Sequence, residues 1–273
     1  MSEEIPGGKG AYADVNGLNM YYEVHGSGDG VPLVLLHGAL SATGSSFGPL
    51  LPGLSAGRRV ISIEQQAHGH TADIDRPLTV RQMIDDTAAL LAQLGVAQAD
   101  FLGYSMGAGI ALHLGIERPD LVRKVVLATV SYSHAGLHPG LLEGVSQTTP
   151  EMLAGSPWEQ EYLRVAPNKD DWATLVRKNS QMEIPELTAE QVASLQAPAL
   201  LILGDSDIVQ PEHIVEMFRL LGGGVIGEMG MPRSQLAILP GTAHSTLMTN
   251  VDLLLAMVPP FLDAPVPEAT TEA

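Results

Sequence analysis

The chain has 273 residues, of which 45% are apolar, and this suits one large α/β domain or two small ones. Its 14 lysines and arginines stand against 31 aspartates and glutamates, and the formal net charge of −17 disfavours nucleic acid and anionic membrane surfaces as partners. The chain has no cysteine, no apolar run long enough to cross a membrane and no apolar stretch at its start, so we expect no disulfide, no membrane span, no secretory signal and a cytoplasmic location.

The first predicted element is a β-hairpin near the start of the chain. Ala11–Val15 and Leu18–Val24 flank Asn16-Gly17, a dipeptide that favours a two-residue hairpin turn. Six later apolar runs are typical of strands that are buried on both faces of a parallel sheet. These runs are Val31–Leu36, Arg59–Glu64, Asp100–Tyr104, Val125–Val130, Leu200–Gly204 and Gln235–Leu239.

Helical patterns separate most of these runs. The clearest is Val80–Leu94, in which apolar residues recur at helical spacing. Thr79 and Gln82 form a capping-box pattern before it, and Gly95 ends it. An initial hairpin followed by alternating strands and helices predicts an α/β fold with a mostly parallel, doubly wound sheet of about eight strands.

One interval, residues 131–197, interrupts this alternation. It contains no strand-like run and is too long for a simple connection, so we predict a helical insertion. The alternative is a pair of ordinary helices that cover the sheet. The predicted helices of the interval are Leu141–Gln147, Trp158–Val165 and Asp171–Asn179.

This interpretation divides the chain into three structural parts and a tail. Residues 1–130 and 198–264 form the two parts of the core domain, and the insertion lies between them. The tail, residues 265–273, is rich in Pro, Glu, Thr and Ala and is predicted to be disordered.

The segment Gly103-Tyr104-Ser105-Met106-Gly107 joins a predicted strand to a predicted helix. A serine between two glycines at such a join can sit on a turn that is too sharp for bulky neighbours, and the turn lifts its hydroxyl out of the sheet. The alternative is that Ser105 is only a small residue at a tight contact between strand and helix.

A serine hydroxyl needs a base to accept its proton, and the base needs an acid that orients it. The C-terminal third offers both, because Asp205 and Asp207 follow the seventh predicted strand and His244 follows the eighth. The carboxyl ends of parallel strands face one crevice, so these side chains can converge with Ser105. The chain order serine, aspartate, histidine agrees with such an arrangement.

Four motifs follow one another along nearly the whole chain: His37-Gly38, the Gly103–Gly107 elbow, Gly204-Asp205-Ser206-Asp207 and Gly241-Thr242-Ala243-His244. With these motifs in this order, the chain resembles the α/β-hydrolase superfamily. The resemblance implies Ser105 as nucleophile, His244 as general base and then acid, and Asp207 as the carboxylate that orients His244. It also implies that the insertion is a cap over the site and that neither a metal nor an organic cofactor takes part.

The resemblance extends to the groups around the nucleophile. In similar members two backbone N–H groups bind the developing oxyanion, which implies those of Ala39 and Met106 here. The segment Glu64–Thr71 is similar to the family's Asp-x-x-Gly-His-Gly-x-Ser/Thr loop, with Glu64 in place of Asp and Ala67 in place of Gly. We expect these departures to affect the geometry of the loop and not the triad.

Two assignments have a direct competitor. Asp205 and Asp207 lie in the same turn, and the spacing found in the family favours Asp207, which leaves Asp205 to brace the loop. Among other histidines, His213 falls on a predicted surface helix and His113 lies within the helix that follows the elbow, so neither is chosen as the base.

Four residues are candidates for substrate contact. His37 ends a buried strand and either touches the substrate or hydrogen-bonds the loop around it, whereas Tyr104 either touches the substrate or packs around the elbow. Trp158 and Trp172 either line an acyl pocket or fill a small core of the cap. His68 and His70 lie near Asp73 and Asp75, but without a second cluster of ligands they do not lead us to predict a metal site.

We therefore predict a serine hydrolase that cleaves carboxylic esters or lactones through an acyl-enzyme and acts on a small, apolar substrate as a monomer or homodimer. A serine at the elbow argues against the haloalkane dehalogenase and epoxide hydrolase branches, which resemble this fold but place an aspartate there. Hydrolysis of carbon–carbon bonds and perhydrolysis with the same triad stay open. So do two functions without turnover, a ligand-binding receptor on the hydrolase fold and a non-catalytic scaffold.

Overall fold

A computed structural model of the protein describes residues 8–229 and 231–266, so the predicted disordered tail lies outside the described residues from residue 267 onward. The described residues form one sheet of eight strands in the order β1-β2-β4-β3-β5-β6-β7-β8. The strands are β1 (Lys9–Val15), β2 (Leu18–His25), β3 (Leu33–Leu36), β4 (Val60–Ile63), β5 (Ala99–Tyr104), β6 (Val122–Ala128), β7 (Ala199–Ser206) and β8 (Gln235–Ala243). The predicted α/β fold with a mostly parallel sheet is confirmed, because only β1 with β2 and β2 with β4 pair in antiparallel fashion.

The antiparallel edge begins with the predicted hairpin. Val15 pairs with Leu18 across the turn, and the backbone φ angles of Asn16 and Gly17 are 51° and 83°. A two-residue turn of this hand requires positive φ at both central positions, which asparagine and glycine tolerate best. The local sequence is therefore sufficient to explain this turn.

The helices of the described residues cover both faces of the sheet. They are α1 (Thr43–Phe47), α2 (Leu51–Leu54), α3 (Val80–Gln93), α4 (Met106–Glu117), α5 (Leu141–Ser146), α6 (Pro157–Val165), α7 (Trp172–Ser180), α8 (Ala189–Ala193), α9 (Pro211–Leu220) and α10 (Val251–Asp263). Short 3-10 turns lie at His134–Gly136, Glu151–Leu153, Lys169–Asp171, Gly227–Met229 and His244–Thr249. No helix in the described ranges combines the length and the apolar character that crossing a membrane requires.

Alternating side chains of the strands build two apolar layers. On strand β3, for example, Val34 and Leu36 belong to one layer, whereas Leu33 and Leu35 belong to the other. The first layer includes buried residues of α3, α4 and α9, and the second includes residues of α1, α2 and α10. Because strands in the middle of the sheet are covered on both faces, they are apolar at nearly every position, as the sequence indicated.

Helix α3 follows the prediction except for its cap. The Thr79 hydroxyl accepts the backbone N–H of Gln82 at 3.2 Å, as an N-cap should, and Gly95 after the helix has φ of 69°. The reciprocal bond of a capping box is replaced by a contact of 3.0 Å between the Thr79 hydroxyl and the side-chain oxygen of Gln82. The helix thus begins with half of the predicted motif.

The connection between β6 and β7 holds α5 to α8. Three of these helices lie within two residues of the predicted bounds, and α8 was not predicted. Lys178 on α7 donates to the Asp73 carboxylate at 2.6 Å and to the carbonyls of Ile74 and Arg76 at 2.9 and 2.8 Å. These bonds attach α7 to the loop after β4, while the interpretation of residues 131–197 as a separate cap domain stays a prediction.

Candidate active site

Ser105 occupies a sharp turn between β5 and α4. Its φ of 54° and ψ of −116° lie outside the regions that a non-glycine residue adopts easily, and such strain is typical of a nucleophile elbow. The flanking glycines permit the close approach of the turn to its neighbours. A Cβ atom on Gly103 would lie 2.3 Å from the carbonyl oxygen of Gly107, and one on Gly107 would lie 2.0 Å from that of Leu36.

A continuous chain of hydrogen bonds leads from this serine to a buried carboxylate. The Nε2 atom of His244 lies 3.0 Å from the Oγ atom of Ser105, and its Nδ1 atom lies 2.9 Å from Oδ1 of Asp207. The Asp207 side chain is fully buried, whereas 24% of the His244 side chain is exposed. A carboxylate can only accept, so it favours the tautomer in which Nδ1 carries the proton and Nε2 is free to accept one from the serine.

Sheet topology explains why three residues so distant in sequence meet. Strands β5, β7 and β8 run parallel in one half of the sheet, and each of the three side chains follows the carboxyl end of one of them. His244 is the first residue of the turn after β8, and Asp207 is the first residue after β7. Parallel strands end at one edge, so the arrangement that the sequence predicted is brought together there.

The competing aspartate has other partners. The Asp205 carboxylate accepts the backbone N–H groups of Gly241 and Thr242 at 2.9 and 3.1 Å. The bond from Gly241 and then that from Thr242 lower the pKa of Asp205. Asp205 therefore braces the loop that presents His244, while Asp207 contacts the imidazole itself.

Two backbone amides stand next to the elbow with their hydrogen-bonding capacity unused. The N–H groups of Ala39 and Met106 have no hydrogen-bond partner among the described residues. They follow β3 and β5, which are adjacent strands with Leu36 opposite Gly103. Unpaired donors at this position are what an oxyanion hole requires.

Two side chains fix the peptide unit to which the amide of Ala39 belongs. The carbonyl of Gly38 accepts the Ser41 hydroxyl and the Nδ1–H group of His37, both at 2.8 Å. Because a peptide unit is planar and trans, holding its carbonyl on one side points its N–H group to the other. The sequence did not single out Ser41, since nothing in a local pattern shows that its hydroxyl turns back to this carbonyl.

Of the two alternatives for His37, substrate contact and hydrogen bonding to the surrounding loop, the structure supports the second. The side chain is fully buried, and its Nε2 atom accepts the backbone N–H of Gln65 at 3.0 Å while Nδ1 is bonded to Gly38. Burial, reinforced by the nearby His68, lowers the pKa of His37 to about 4, so the ring is neutral near pH 7. Both ring nitrogens are occupied by the protein, which leaves none for a ligand.

Tyr104 contacts the segment that carries the imidazole. Its hydroxyl donates to the backbone carbonyl of His244 at 2.9 Å, and the centres of the two rings lie 5.4 Å apart. Burial raises the pKa of Tyr104 to about 12, so the phenol stays protonated and remains a donor. Contact between Tyr104 and a substrate stays a prediction.

The two tryptophans lie in different surroundings. Trp158, near the start of α6, is 40% exposed, whereas Trp172 is buried with its ring centre 5.4 Å from that of Tyr162. The Nε1 atom of Trp172 is buried and has no partner among the described residues. These contacts account for Trp172 as part of a small core in the inserted segment, and substrate binding by either tryptophan stays a prediction.

The loop after β4 is held by a buried glutamate. The Glu64 carboxylate accepts the backbone N–H of Thr43 at 3.0 Å and both the backbone N–H and Nδ1 of His70 at 2.6 and 2.9 Å. Ala67 adopts φ of 63°, the left-handed conformation that the corresponding glycine of the family would adopt without strain. The two departures from the family pattern thus concern loop geometry.

Histidines of this loop are engaged within the protein. Burial lowers the pKa of His70, but its bond to Glu64 and the charge of Glu64 outweigh that effect and leave the pKa raised. Atoms of Glu23, Glu64 and His70 lie within 4.8 Å of one another, and the Glu23 carboxylate is bonded to His25 at 2.8 Å. Hydrogen bonds between these side chains account for the cluster.

His213, predicted to lie on a surface helix, is buried with 7% of its surface exposed. Its ring stacks on Tyr132 at 4.4 Å, and its Nε2 atom lies 3.0 Å from the Ser131 hydroxyl. The helix is amphipathic, and His213 is buried on its inner face together with Ile214 and Met217.

Residues 31–174, more than half of the chain, match the family model described as alpha/beta hydrolase fold. The chain is 34% identical over 124 residues to the sn-1-specific diacylglycerol lipase ABHD11 of Danio rerio, and this match covers 44% of the chain but only 38% of the lipase. It is 24% identical over 265 residues to the putative carbamate hydrolase RutD of Agrobacterium fabrum, covering 89% of the chain and 98% of that protein.

The enol-lactonase from Burkholderia xenovorans LB400 superposes on the chain with a TM-score of 0.71 at 20% sequence identity, and the match covers 93% of the chain and 100% of the lactonase. At this level of identity the similarity shows a shared fold and does not extend to the substrate.

Proposed function

The chain belongs to the α/β-hydrolase fold family, and on that premise we propose that it is a serine hydrolase that cleaves carboxylic esters or lactones through an acyl-enzyme. The observation that carries the proposal is the chain of hydrogen bonds from Asp207 through His244 to the strained Ser105. A hydroxyl becomes a useful nucleophile only when a base is in position to take its proton. His244 is in that position, because its Nε2 atom lies 3.0 Å from Oγ of Ser105.

In the first step Ser105 Oγ attacks the carbonyl carbon of the substrate. The electron pair of the carbonyl double bond moves to its oxygen, and the serine proton passes to Nε2 of His244. The imidazolium so formed is stabilised by the buried carboxylate of Asp207, which also keeps the ring oriented.

The negative oxygen of the tetrahedral intermediate is assigned to the amides of Ala39 and Met106. Met106 opens α4, so the positive end of that helix adds to the stabilisation. One such donor is typically worth about 10²–10³ in rate. When the intermediate collapses, the bond from the carbonyl carbon to the leaving oxygen breaks, and His244 returns its proton to the leaving alcohol.

Water completes the cycle on the acyl-enzyme. His244 takes a proton from the attacking water, a second tetrahedral intermediate forms at the same two amides, and its collapse releases the acid and restores the Ser105 hydroxyl. In each of these steps His244 accepts or returns the proton. The proposed reaction therefore needs neither a metal nor an organic cofactor.

The proposal includes a small, apolar substrate. Leu40, which follows Ala39 in the chain, lines a narrow crevice between the loop after β3 and helices α6 and α7, together with Ser41, Glu161, Tyr162, Val165 and Leu175. This crevice is closed in the structure, so a substrate group could enter it only if the two sides moved apart. We include in the proposal that residues 131–197 act as a cap over the site and that the protein works in the cytoplasm.

Carbamate hydrolysis is a second candidate because the match to the carbamate hydrolase RutD extends over 98% of that relative. A carbamate presents the same electrophilic carbonyl to Ser105 but has a nitrogen on one side. Hydrolysis of carbon–carbon bonds and ligand binding without turnover would use the same residues, and a panel of substrates separates them from ester cleavage. Perhydrolysis would also use these residues, with hydrogen peroxide in place of water as the attacking molecule.

The test is a panel of substrates assayed on purified protein and on the Ser105→Ala variant. The panel comprises p-nitrophenyl esters of increasing chain length, an aliphatic lactone, an aryl carbamate and a vinylogous diketone. We expect multiple turnovers on esters or lactones that are lost in the variant. Turnover confined to the carbamate or to the diketone would replace the proposed reaction by that one, and stoichiometric binding without turnover would favour a receptor.

A further inference from the structure

A cavity of about 230 Å³ lies at the other end of the sheet from Ser105. Its walls come from residues just before β3 and β4, from residues near the start of β5 and β6 and from the end of α10. Because these four strands run parallel, all of their amino ends meet at this edge. The cavity is therefore separated from the proposed active site by the length of the strands.

Arginines are concentrated in the walls of this cavity. Arg58, Arg59 and Arg123 line it, although the whole chain has only 14 lysines and arginines and a net charge of −17. Lys124 is buried next to Arg123, and its pKa is lowered by burial and then by the charge of that arginine. The cavity lining has three guanidinium groups against the two carboxylates of Asp100 and Asp263, so one guanidinium has no carboxylate of the lining to offset it.

The aspartates of the cavity offset part of this charge but leave hydrogen-bond donors unused. Asp100 accepts Nε of Arg123 at 2.8 Å, and Asp263 is paired with Nη2 of Arg58. Arg59 lines the cavity and, unlike Arg58 and Arg123, has no hydrogen bond or ion pair with any described residue. Nη1 of Arg58 also lacks a partner in the described part of the chain, but it is shielded from the open space of the cavity.

We propose that this cavity binds an oxyanion, the phosphate or carboxylate group of a small molecule, with Arg59 as the principal ligand. Guanidinium groups match both anions because they present paired donors in one plane. Gly30 and Gly57 in the wall leave the backbone accessible where side chains would fill the space. Binding of an oxyanion in this cavity does not depend on the reaction at Ser105.

Isothermal titration calorimetry on the full chain tests the proposal. Potassium phosphate and potassium acetate are titrated separately at constant ionic strength, with potassium chloride as the reference. We expect saturable binding of at least one of the two oxyanions, with a dissociation constant of about 1 mM or tighter. The oxyanion with the lower dissociation constant shows whether the cavity prefers phosphate or carboxylate.

Two variants locate the site. Arg59→Gln breaks no pair in the described part of the protein and is expected to weaken binding about ten-fold or more. Arg118→Gln is the matched control, because Arg118 is an exposed arginine paired with Asp120 outside the cavity. No saturable heat with wild-type protein, unchanged binding in Arg59→Gln, or an equal loss in Arg118→Gln would each overturn the proposal.

Discussion

The Nε2 atom of His244 lies 3.0 Å from the Oγ atom of Ser105, the distance at which a proton can pass between them. A second serine and histidine have the same spacing, since Oγ of Ser131 lies 3.0 Å from Nε2 of His213. A distance between two side chains is therefore not sufficient to identify a nucleophile in this protein, and the surroundings of each pair decide.

Ser131 and His213 form hydrogen bonds with the backbone. The Ser131 hydroxyl donates to the carbonyl of Ser133 at 2.6 Å, and Nε2 of His213 accepts the backbone N–H of Tyr132 at 3.3 Å. The Ser131 proton is thus held by a carbonyl, and the lone pair of His213 is shared with an amide. Neither condition applies to Ser105, whose hydroxyl faces an imidazole that is oriented by a carboxylate.

Ser105→Ala is expected to lower kcat for p-nitrophenyl ester hydrolysis by about 10⁴ or more, because the nucleophile is removed. The same variant should no longer be labelled by a fluorophosphonate, as measured by mass spectrometry. Ser131→Ala is the matched control and should keep both activity and labelling. Labelling that persists in Ser105→Ala and disappears in Ser131→Ala would reverse the assignment.

Asp207→Asn and Asp205→Asn separate the two aspartates. An amide at position 207 cannot hold the Nδ1 proton as a carboxylate does, and we expect kcat to fall by about 10⁴. At position 205 the amide oxygen still accepts a backbone N–H from the loop before His244, so a loss of about ten-fold is expected. Circular dichroism of both variants checks the fold, and a larger loss in Asp205→Asn would contradict the assigned roles.

Ser41→Ala removes one of two bonds that hold the Gly38 carbonyl and with it the amide of Ala39. Because the oxyanion exists only in the intermediates, kcat should fall about ten-fold while KM changes little. Binding of a trifluoromethyl ketone, which forms a tetrahedral adduct, should weaken in parallel. Ser55→Ala is the control, because the hydroxyl of Ser55 has the Leu51 carbonyl on α2 as its only partner among the described residues. A change confined to KM would argue against this positioning role.

The buried histidines predict how stability depends on pH. Burial lowers the pKa of both His37 and His68 to about 4, below the value of about 6.5 in an unfolded chain. The unfolded state therefore binds more protons between these values, so the stabilisation is complete above about pH 6.5 and is lost as the pH falls towards 4. Urea unfolding at a series of pH values measures this dependence.

His68→Asn isolates one of the two groups. The amide nitrogen of asparagine can replace the Nδ1 donor that bonds the Gln66 carbonyl at 2.8 Å, but it does not titrate. The slope of the unfolding free energy between pH 4 and 6.5 should fall by about one proton, or ~1.4 kcal/mol per pH unit. His138→Asn, at an exposed position, should leave the slope unchanged. An unaltered slope in His68→Asn would mean that His68 is not the group responsible.

Most of the fold could be predicted from local patterns. The hairpin at Asn16-Gly17, the apolar runs of the inner strands and the periodicity of Val80–Leu94 each depend on residues that are close in sequence. The serine, aspartate and histidine motifs each follow a predicted parallel strand, and this position predicted that their side chains meet at one edge of the sheet. These features were accessible because strand alternation and turn preferences are set by the nearest residues along the chain.

Other features depend on contacts between segments that are far apart. Asp205 and Asp207 are two residues apart, and local patterns do not separate them. The family resemblance favoured Asp207, and the packing of β7 beside β8 is the physical reason why Asp207 contacts His244 while Asp205 contacts the loop amides. The burial of His213, the use of both His37 nitrogens and the gathering of Arg58, Arg59 and Arg123 around one cavity arise in the same way. The sequence by itself determined the elements and their order, and tertiary structure decided which side chains meet, because that depends on how the elements pack in three dimensions.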